Sequence, residues 1–336
     1  MRYRVGLIGT GGIARAHGKA CQQVDRAELV AVCDISKDAL ANFGDQFGVE
    51  AQYLNLDDML ARENLDIVVI CNWGAYHAET GIQAARSGQV KAVLCEKPFT
   101  INAAEAEAFA QAGKESGVLV AEAFKFRYHP MHIKAKELVA SGAVGELLQV
   151  RSTFGTCVPS EKRRPENNWR WNKEQGGGSI FDLACYNIHH ARFIFGAEPE
   201  CIFAVKLPGV EVDDASSIVM VFGGGRTAQI SVSFNAWQSQ YAEIIGDQGM
   251  LRMDKAWNNE DQAVAIEQET RDGKEVIEFE SVFQFALQLE HLCECLETGA
   301  PHRIPPEDSI AQMRVIDAIY ESMATGQSVE LAGGAK

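Results

Sequence analysis

The sequence predicts an α/β chain: a doubly wound parallel sheet first, then an α+β domain with a large, mostly antiparallel open sheet. Over residues 1–122, short β-branched runs, too apolar to be half-exposed, alternate with helical stretches. Beyond residue 130 the alternation gives way to successive strands, with turns marked by Gly223-Gly224-Gly225, Asp247-Gln248-Gly249 and Asp272-Gly273. Strands apolar on both faces belong to a parallel sheet covered on both sides, whereas turn-separated strands build an antiparallel one.

The first domain, residues 1–122, has strands at 5–8, 29–33, 67–71, 92–95 and 118–121, and helices at 13–24, 37–47, 56–62, 76–87 and 102–116. The second, residues 123–336, opens with a helix at 131–141 and a strand at 147–154. A long polar loop leads to a helix at 179–195. Strands follow at 201–206, 216–222, 228–234, 241–246, 251–253 and 263–267. Two helices, 285–298 and 307–325, close the chain, and the last is expected to pack back on the first domain. The tail from Gly333 to Lys336 is expected to fray.

A length of 336 residues suits two domains better than one core. Hydrophobic residues at 46% and charged residues at 23% are the balance of a soluble globular protein. A net charge of −15 argues against nucleic acid or anionic membrane as partners. No apolar stretch approaches the roughly 20 residues of a membrane span. Met1-Arg2-Tyr3-Arg4 runs directly into a strand, so no signal peptide is expected. Nine scattered cysteines without a C-x-x-C pair read as reduced thiols, which points to the cytoplasm. No metal site is expected: Cys293 and Cys295 point to different sides of a helix, and His189 and His190 are adjacent with no third ligand at a recognisable spacing.

The first strand runs into Gly9-Thr10-Gly11-Gly12-Ile13-Ala14, a G-x-G-x-x-A turn opening a helix. Gly9 permits the tight turn, Gly11 lets backbone N–H groups approach a pyrophosphate, and Ala14 allows close helix–sheet packing; the helix from Gly12 and Ile13 aims its positive end at the phosphate. Asp34, twenty residues after Ala14 at the end of the second strand, is suited to accept ribose hydroxyls. These features predict a Rossmann domain binding NAD or NADP. Asp34 favours NAD by repelling a 2′-phosphate, while Ser36 and Lys37 just beyond it keep NADP open.

Further along come Asn72-Trp73-Gly74-Ala75-Tyr76-His77-Ala78-Glu79, Glu96-Lys97-Pro98, the run from Glu122 to Pro130, and Gly176-Gly177-Gly178 followed by Asp182 and Tyr186. In this order the motifs resemble the Gfo/Idh/MocA oxidoreductases, and the resemblance covers essentially the whole chain. Tyrosine at 186, where the inositol dehydrogenase branch has histidine, resembles the glucose–fructose oxidoreductase, xylose dehydrogenase and dimeric dihydrodiol dehydrogenase branch. The family often reads Thr-Pro-Asn where this chain has Asn72-Trp73-Gly74, which puts the substrate in question more than the chemistry.

The resemblance implies an enzyme transferring a hydride between nicotinamide and a CH–OH or C=O group of a sugar or polyol. It puts Asn72, Trp73, His77, Glu96 and Lys97 beside the cofactor and Asp182 and His189 against substrate hydroxyls. It also implies a homodimer or homotetramer through the C-terminal sheet, one face of which carries an apolar alternation (Ile218, Met220, Phe222; Ile230, Val232, Phe234). Two other functions stay open on the same scaffold: a non-catalytic NAD(P)-binding sensor or co-regulator, and a glycosidase that retains its NAD.

Chemistry supports the first reading. Tyrosine, with an unperturbed pKa of about 10, is a poor base at neutral pH, and a nearby ammonium stabilises its phenolate. Lys97 is the candidate ammonium and Tyr186 the candidate acid/base; the plainer alternatives are a strand-end lysine and an amphipathic core tyrosine. Asp182 and Tyr186 are i and i+4 on one helix and share a face. His190, at i+4 from Tyr186, reads equally as a packed core histidine. Lys125 and Arg127 follow the last strand of the first domain, and Trp169 and Arg170 lie in a loop dense in cations. An aromatic face beside hydrogen-bonding cations suits a pyranose, and the same cations also suit a carboxylate or phosphate. Three glycines before the helix signal either close approach to a ligand or a crowded turn.

Overall fold

The structure, a computed structural model, describes residues 2–331 apart from Asn167 and Asp261; the tail expected to fray lies outside the described residues. The chain forms two compact units, Met1–Lys125 with Phe283–Ile310, and Phe126–Val282 with Ala311–Lys336.

The first unit alternates β1 (Tyr3–Ile8), α1 (Gly12–Gln23), β2 (Ala27–Cys33), α2 (Lys37–Phe47), β3 (Ala51–Tyr53), α3 (Leu56–Arg62), β4 (Ile67–Ile70), α4 (His77–Arg86), β5 (Ala92–Glu96), α5 (Ala103–Ser116) and β6 (Leu119–Ala123). Its six strands are all parallel in the order β3-β2-β1-β4-β5-β6. Strand order reverses between β1 and β4, where Val5 pairs with Ile67 and Ile8 with Ile70. In such sheets the crevice beyond the carboxyl ends at the reversal is where nucleotides bind. The central strands are buried on both faces, as their unbroken apolar runs require. The unpredicted β3 is three residues long with no residue fully buried, so it left no apolar run to read. Local chemistry sets the helix ends: Ser36, Asn55 and Asn102 cap α2, α3 and α5, and left-handed Gly48 and Gly117 stop α2 and α5.

The second unit holds α6 (Pro130–Ala140), β7 (Leu147–Gly155), a π-helical turn (Ile180–Ala184) running into α7 (Cys185–Phe195), and the strands β8 (Cys201–Pro208), β9 (Asp213–Phe222), β10 (Arg226–Ser233), β11 (Ala242–Gly246), β12 (Gly249–Met253), β13 (Val264–Thr270) and β14 (Gly273–Phe279). Next come α8 (Gln284–Thr298), α9 (Pro306–Thr325) and the two-residue β15 (Val329–Glu330). The nine strands form one sheet, β14-β13-β12-β11-β7-β10-β9-β8-β15, antiparallel except where β7 pairs with β10.

One expectation needs correction. The alternation Ile218, Met220, Phe222, Ile230, Val232 and Phe234 is fully buried within the unit, on the sheet face shared with Val150, Ala242 and Ile244. The opposite face carries Phe203, Val205, Leu207 and Val219, 39–52% exposed, between polar residues such as Ser217, Gln229 and Ser231. With a period of two, only burial shows which face is covered. The first unit also takes in α8, whose Phe285, Leu289, Leu292 and Cys293 join the core containing Ala20, Cys21 and Val24. In α9, by contrast, Gln312 and Ser322 bond to the second unit through Arg192, the Cys185 carbonyl and the Ala204 amide.

Among the described residues no helix is long and apolar enough to cross a membrane, and no group of three His, Cys, Asp or Glu side chains is placed to hold a metal ion. All nine cysteines are free thiols, and all but Cys157 and Cys201 are buried.

Candidate active site

In the first unit the glycine turn forms an open cradle. Gly9 adopts φ +87°, donates to the Cys33 carbonyl at 2.7 Å, and leaves no room for a side chain, whose Cβ would lie 2.7 Å from the Asn72 backbone nitrogen. A Cβ at Gly11 or Gly12 would meet nothing within 4 Å. The first turn of α1 has neither a side-chain cap nor an acidic residue. Uncapped amides facing open space suit a phosphate group, so these residues fit a dinucleotide. Ile13 stands 37% exposed beside them.

Asp34 closes the loop from the second strand. Its Oδ2 accepts from the Thr10 amide at 2.7 Å and the Thr10 hydroxyl at 2.9 Å, and its Oδ1 accepts from the Ser36 amide at 2.9 Å. The carboxylate that was expected only to meet ribose also ties β2 to the glycine turn.

Two further turns are fixed at the ends of β4 and β5. His77, buried, bridges the Pro98 carbonyl at 2.8 Å and the Asn72 carbonyl at 3.1 Å; burial pushes its pKa below the usual imidazole value. The Asn72 side chain donates to Thr80 at 2.9 Å, and Trp73 stands exposed with its ring 6.2 Å from that of Tyr76. Glu96 turns inward: its Oε1 lies 2.8 Å from His17 Nε2, and its Oε2 accepts the Lys97 amide at 3.2 Å. Lys97 is half-buried on this turn, and its bond to Pro98 is cis. Lys125 is buried with its ammonium over the Phe285 ring at 5.2 Å.

In the second unit the helix bearing Asp182 and Tyr186 begins in a π turn, not the uninterrupted α-helix the spacing predicts. The turn packs against Asp213, which accepts from the Ser179 hydroxyl at 2.5 Å, the Ile180 amide at 2.9 Å and the Tyr320 hydroxyl at 3.2 Å. Burial pushes the Asp213 carboxyl above its ordinary value. Two of the three glycines relieve crowding: a Cβ on Gly177 would lie 2.5 Å from the Trp169 carbonyl, and one on Gly178 would lie 2.7 Å from Asp213. π turns of this kind are frequent at functional sites.

Asp182, 7% exposed, accepts from Arg170 Nε at 2.7 Å, and that guanidinium sits 4.8 Å from the Trp169 ring centre. Tyr186, 7% exposed, has the rings of Phe154, Trp257 and Phe126 at 5.8, 6.1 and 6.2 Å. Arg127 Nη1 reaches His189 Nε2 at 2.7 Å and stacks its guanidinium 4.1 Å from the Phe193 ring centre. His190 is buried among Phe126, His132 and Trp257, and burial holds its pKa well below the usual imidazole range. Not all of the cation-rich loop faces outward. Trp171 is fully buried and donates to Asp214 at 2.7 Å, and Arg163 pairs with the other oxygen of that carboxylate at 3.3 Å.

Comparison with known proteins decides the family. Residues 3–124 match the model of an oxidoreductase family with an NAD-binding Rossmann fold, and residues 132–252 match the GFO/IDH/MocA C-terminal domain. D-xylose 1-dehydrogenase (NADP(+)) 2 of Haloferax volcanii is 32% identical over 97% of this chain and 99% of its own. This chain belongs to the Gfo/Idh/MocA family. As a family member it is an NAD(P)-dependent oxidoreductase acting on a CH–OH donor. Among solved structures it is similar to aldose-aldose oxidoreductase from Caulobacter crescentus complexed with glycerol, at a TM-score of 0.90 and 27% identity, covering 98% of this chain and 100% of the other. It is likewise similar to a 3-ketoreductase from Actinomadura kijaniata complexed with NADP and TDP-benzene, at 0.89 and 26%, covering 96% and 98%.

Within each unit the motif residues assemble. Gly9, Asn72, His77 and Glu96 gather at the ends of β1, β4 and β5, and Asp182, Arg170 and Trp169 form one contact group. His17 and Asp213 were missed: a buried histidine on an amphipathic helix and an acid at a strand start carry no signal until their partners are known.

Proposed function

We propose that this Gfo/Idh/MocA enzyme is a sugar or polyol dehydrogenase or ketoreductase in which Tyr186 is the acid/base and Lys97 its electrostatic partner. The observation that carries the reading is the setting of Tyr186, a phenol caged by Phe126, Phe154 and Trp257 on the helix that also presents the Arg170-paired Asp182. Such a setting keeps water from a phenolate, so that a neighbouring ammonium acts on it strongly.

When bound, nicotinamide supplies a hydride acceptor or donor. Gly9, Gly11, Gly12 and Ile13 receive the dinucleotide, with Asp34 taking the ribose and Asn72, Trp73, His77 and Glu96 shaping the far end. In oxidation Tyr186 removes the hydroxyl proton, and in reduction it returns it. The Lys97 ammonium stabilises the phenolate in both directions. Asp182 and His189, held by Arg170 and Arg127, bind neighbouring hydroxyls, and Trp169 offers an aromatic face to a pyranose. Lys125 and Arg127 add positive charge for an acidic or phosphorylated substrate.

The preferred cofactor in this reading is NAD, because Asp34 opposes a 2′-phosphate. The relatives named above for NADP mark the alternative. The exposed apolar side chains of Phe203, Val205, Leu207 and Val219 support a homodimer or homotetramer through the open face of the sheet. The test is a nicotinamide absorbance screen over aldoses, polyols, inositols and keto-sugars with both cofactors. Turnover of at least one neutral sugar or polyol is expected. Tight nucleotide binding without turnover of any would overturn the reading in favour of a sensor.

A further inference from the structure

We propose that Thr10 sets the choice between NAD and NADP by aiming the Asp34 carboxylate. The inference rests on the reading of Asp34 as the ribose partner. Thr10 occupies the first open position of the G-x-G-x-x-A turn, where the motif itself asks for no particular side chain. It is only 4% exposed, so its hydroxyl is not there for solvent.

Both of its donors go to one atom. The Thr10 amide and hydroxyl reach Asp34 Oδ2 at 2.7 and 2.9 Å, and the Ser36 amide reaches Oδ1 at 2.9 Å. Each carboxylate oxygen has two lone-pair directions. Two donors fill Oδ2, while one donor on Oδ1 leaves a direction open. Thr10 thereby fixes the rotation of the carboxylate and makes Oδ1, beside Ser36, the oxygen available to a ribose hydroxyl. The backbone beneath is held independently, since the Asp34 amide bonds the Tyr53 carbonyl at 3.1 Å.

The same fixation works against NADP. A carboxylate that cannot swing away keeps its negative charge where a 2′-phosphate would have to lie. Ser36 and Lys37, both exposed at the start of α2, would otherwise suit that phosphate. Without the Thr10 hydroxyl, one amide donor remains on each oxygen, Oδ2 regains an open direction, and the carboxylate is held less tightly. Affinity for NAD then falls while the barrier to NADP relaxes.

The test is equilibrium titration of NAD⁺ and NADP⁺, followed by intrinsic tryptophan fluorescence without turnover, on the wild type, Thr10→Val, Thr10→Ser and Asp34→Ala. Thr10→Val should narrow the ratio of the NADP⁺ to the NAD⁺ dissociation constant by about tenfold, the scale of one hydrogen bond to a charged group. Thr10→Ser, which keeps the hydroxyl, should hold the ratio within about twofold of wild type. Thr10→Ala stands in if the valine variant melts early. If Asp34→Ala collapses the ratio and neither Thr10→Val nor Thr10→Ala moves it, Asp34 is aimed without Thr10 and the proposal is wrong. A ratio unmoved by Asp34→Ala would instead overturn the reading of Asp34 on which the proposal stands.

Discussion

His17 on α1 and Glu96 at the end of β5 face each other at 2.8 Å between Nε2 and Oε1, with 3% and 5% of their side chains exposed. The Phe285 ring from α8 packs edge-to-face with the imidazole, with ring centres 5.2 Å apart. The other Glu96 oxygen accepts the Lys97 amide, so the pair braces the turn that carries the lysine. Truncating either partner leaves a buried polar atom of the other without its bond. Glu96→Ala and His17→Ala should each lower the urea-unfolding free energy by about 3 kcal/mol, and the double variant should cost clearly less than the sum. Strictly additive effects would show that the two do not act as a pair.

The glycine turn separates two reasons for glycine. At Gly9 the backbone is left-handed and a Cβ would strike Asn72, so Gly9→Ala should destabilise the fold by about 1–3 kcal/mol and weaken nucleotide binding as well. At Gly11 a side chain meets only open space. Gly11→Val should therefore leave the thermal midpoint near wild type while NAD⁺ affinity falls by at least about tenfold. Equal loss of stability in the two variants would contradict the cradle.

Much of this was legible in the sequence, for physical reasons that also mark where legibility ends. Continuous apolar runs identify strands buried on both faces, so β1 to β6 emerged with only β3 missing. The glycine turn and Asp34 declared themselves by spacing. Asp213, His17 and the π turn did not, because each depends on a partner remote in sequence: Asp213 reaches Ser179, Ile180 and Tyr320, and His17 reaches Glu96 across 79 positions. Which face of the large sheet is covered was likewise hidden, since alternation fixes two faces without saying which meets the helices. The Thr10 hydroxyl occupied a motif position that the spacing treats as arbitrary.

Loss of proton transfer should be separable from loss of binding. Tyr186→Phe and Lys97→Met should each reduce kcat by about 10²- to 10⁴-fold on the best substrate of the screen. NAD⁺ affinity in Tyr186→Phe should stay within about threefold of wild type, because the tyrosine is assigned to substrate. The double variant should be little worse than either single one, as expected of residues serving one step. Near-normal turnover in either single variant would remove that residue from the mechanism.

Acid stability should be set in part by histidines of the second unit that the chemistry does not use. Burial pushes His132 down to about 3 and His129 down to about 4 from an ordinary 6.5, and His190 well below it. The unfolded chain takes up these protons near pH 6.5 and the folded chain only far lower. Stability from this source is therefore complete above about pH 6.5 and lost as pH falls toward 4 and then 3. His129 also accepts the Met131 amide through Nδ1 at 3.1 Å as the N-cap of α6, a role that protonation abolishes. His129→Asn retains a capping acceptor without a titrating ring. Its unfolding free energy should fall less steeply than wild type between pH 6.5 and 4.5, by about 1.4 kcal/mol for each pH unit in which His129 alone would have titrated. Urea midpoints at pH 7.5, 6.5, 5.5 and 4.5 measure that slope, and parallel curves for the two proteins would show that His129 takes up its proton in the folded state as readily as in the unfolded one.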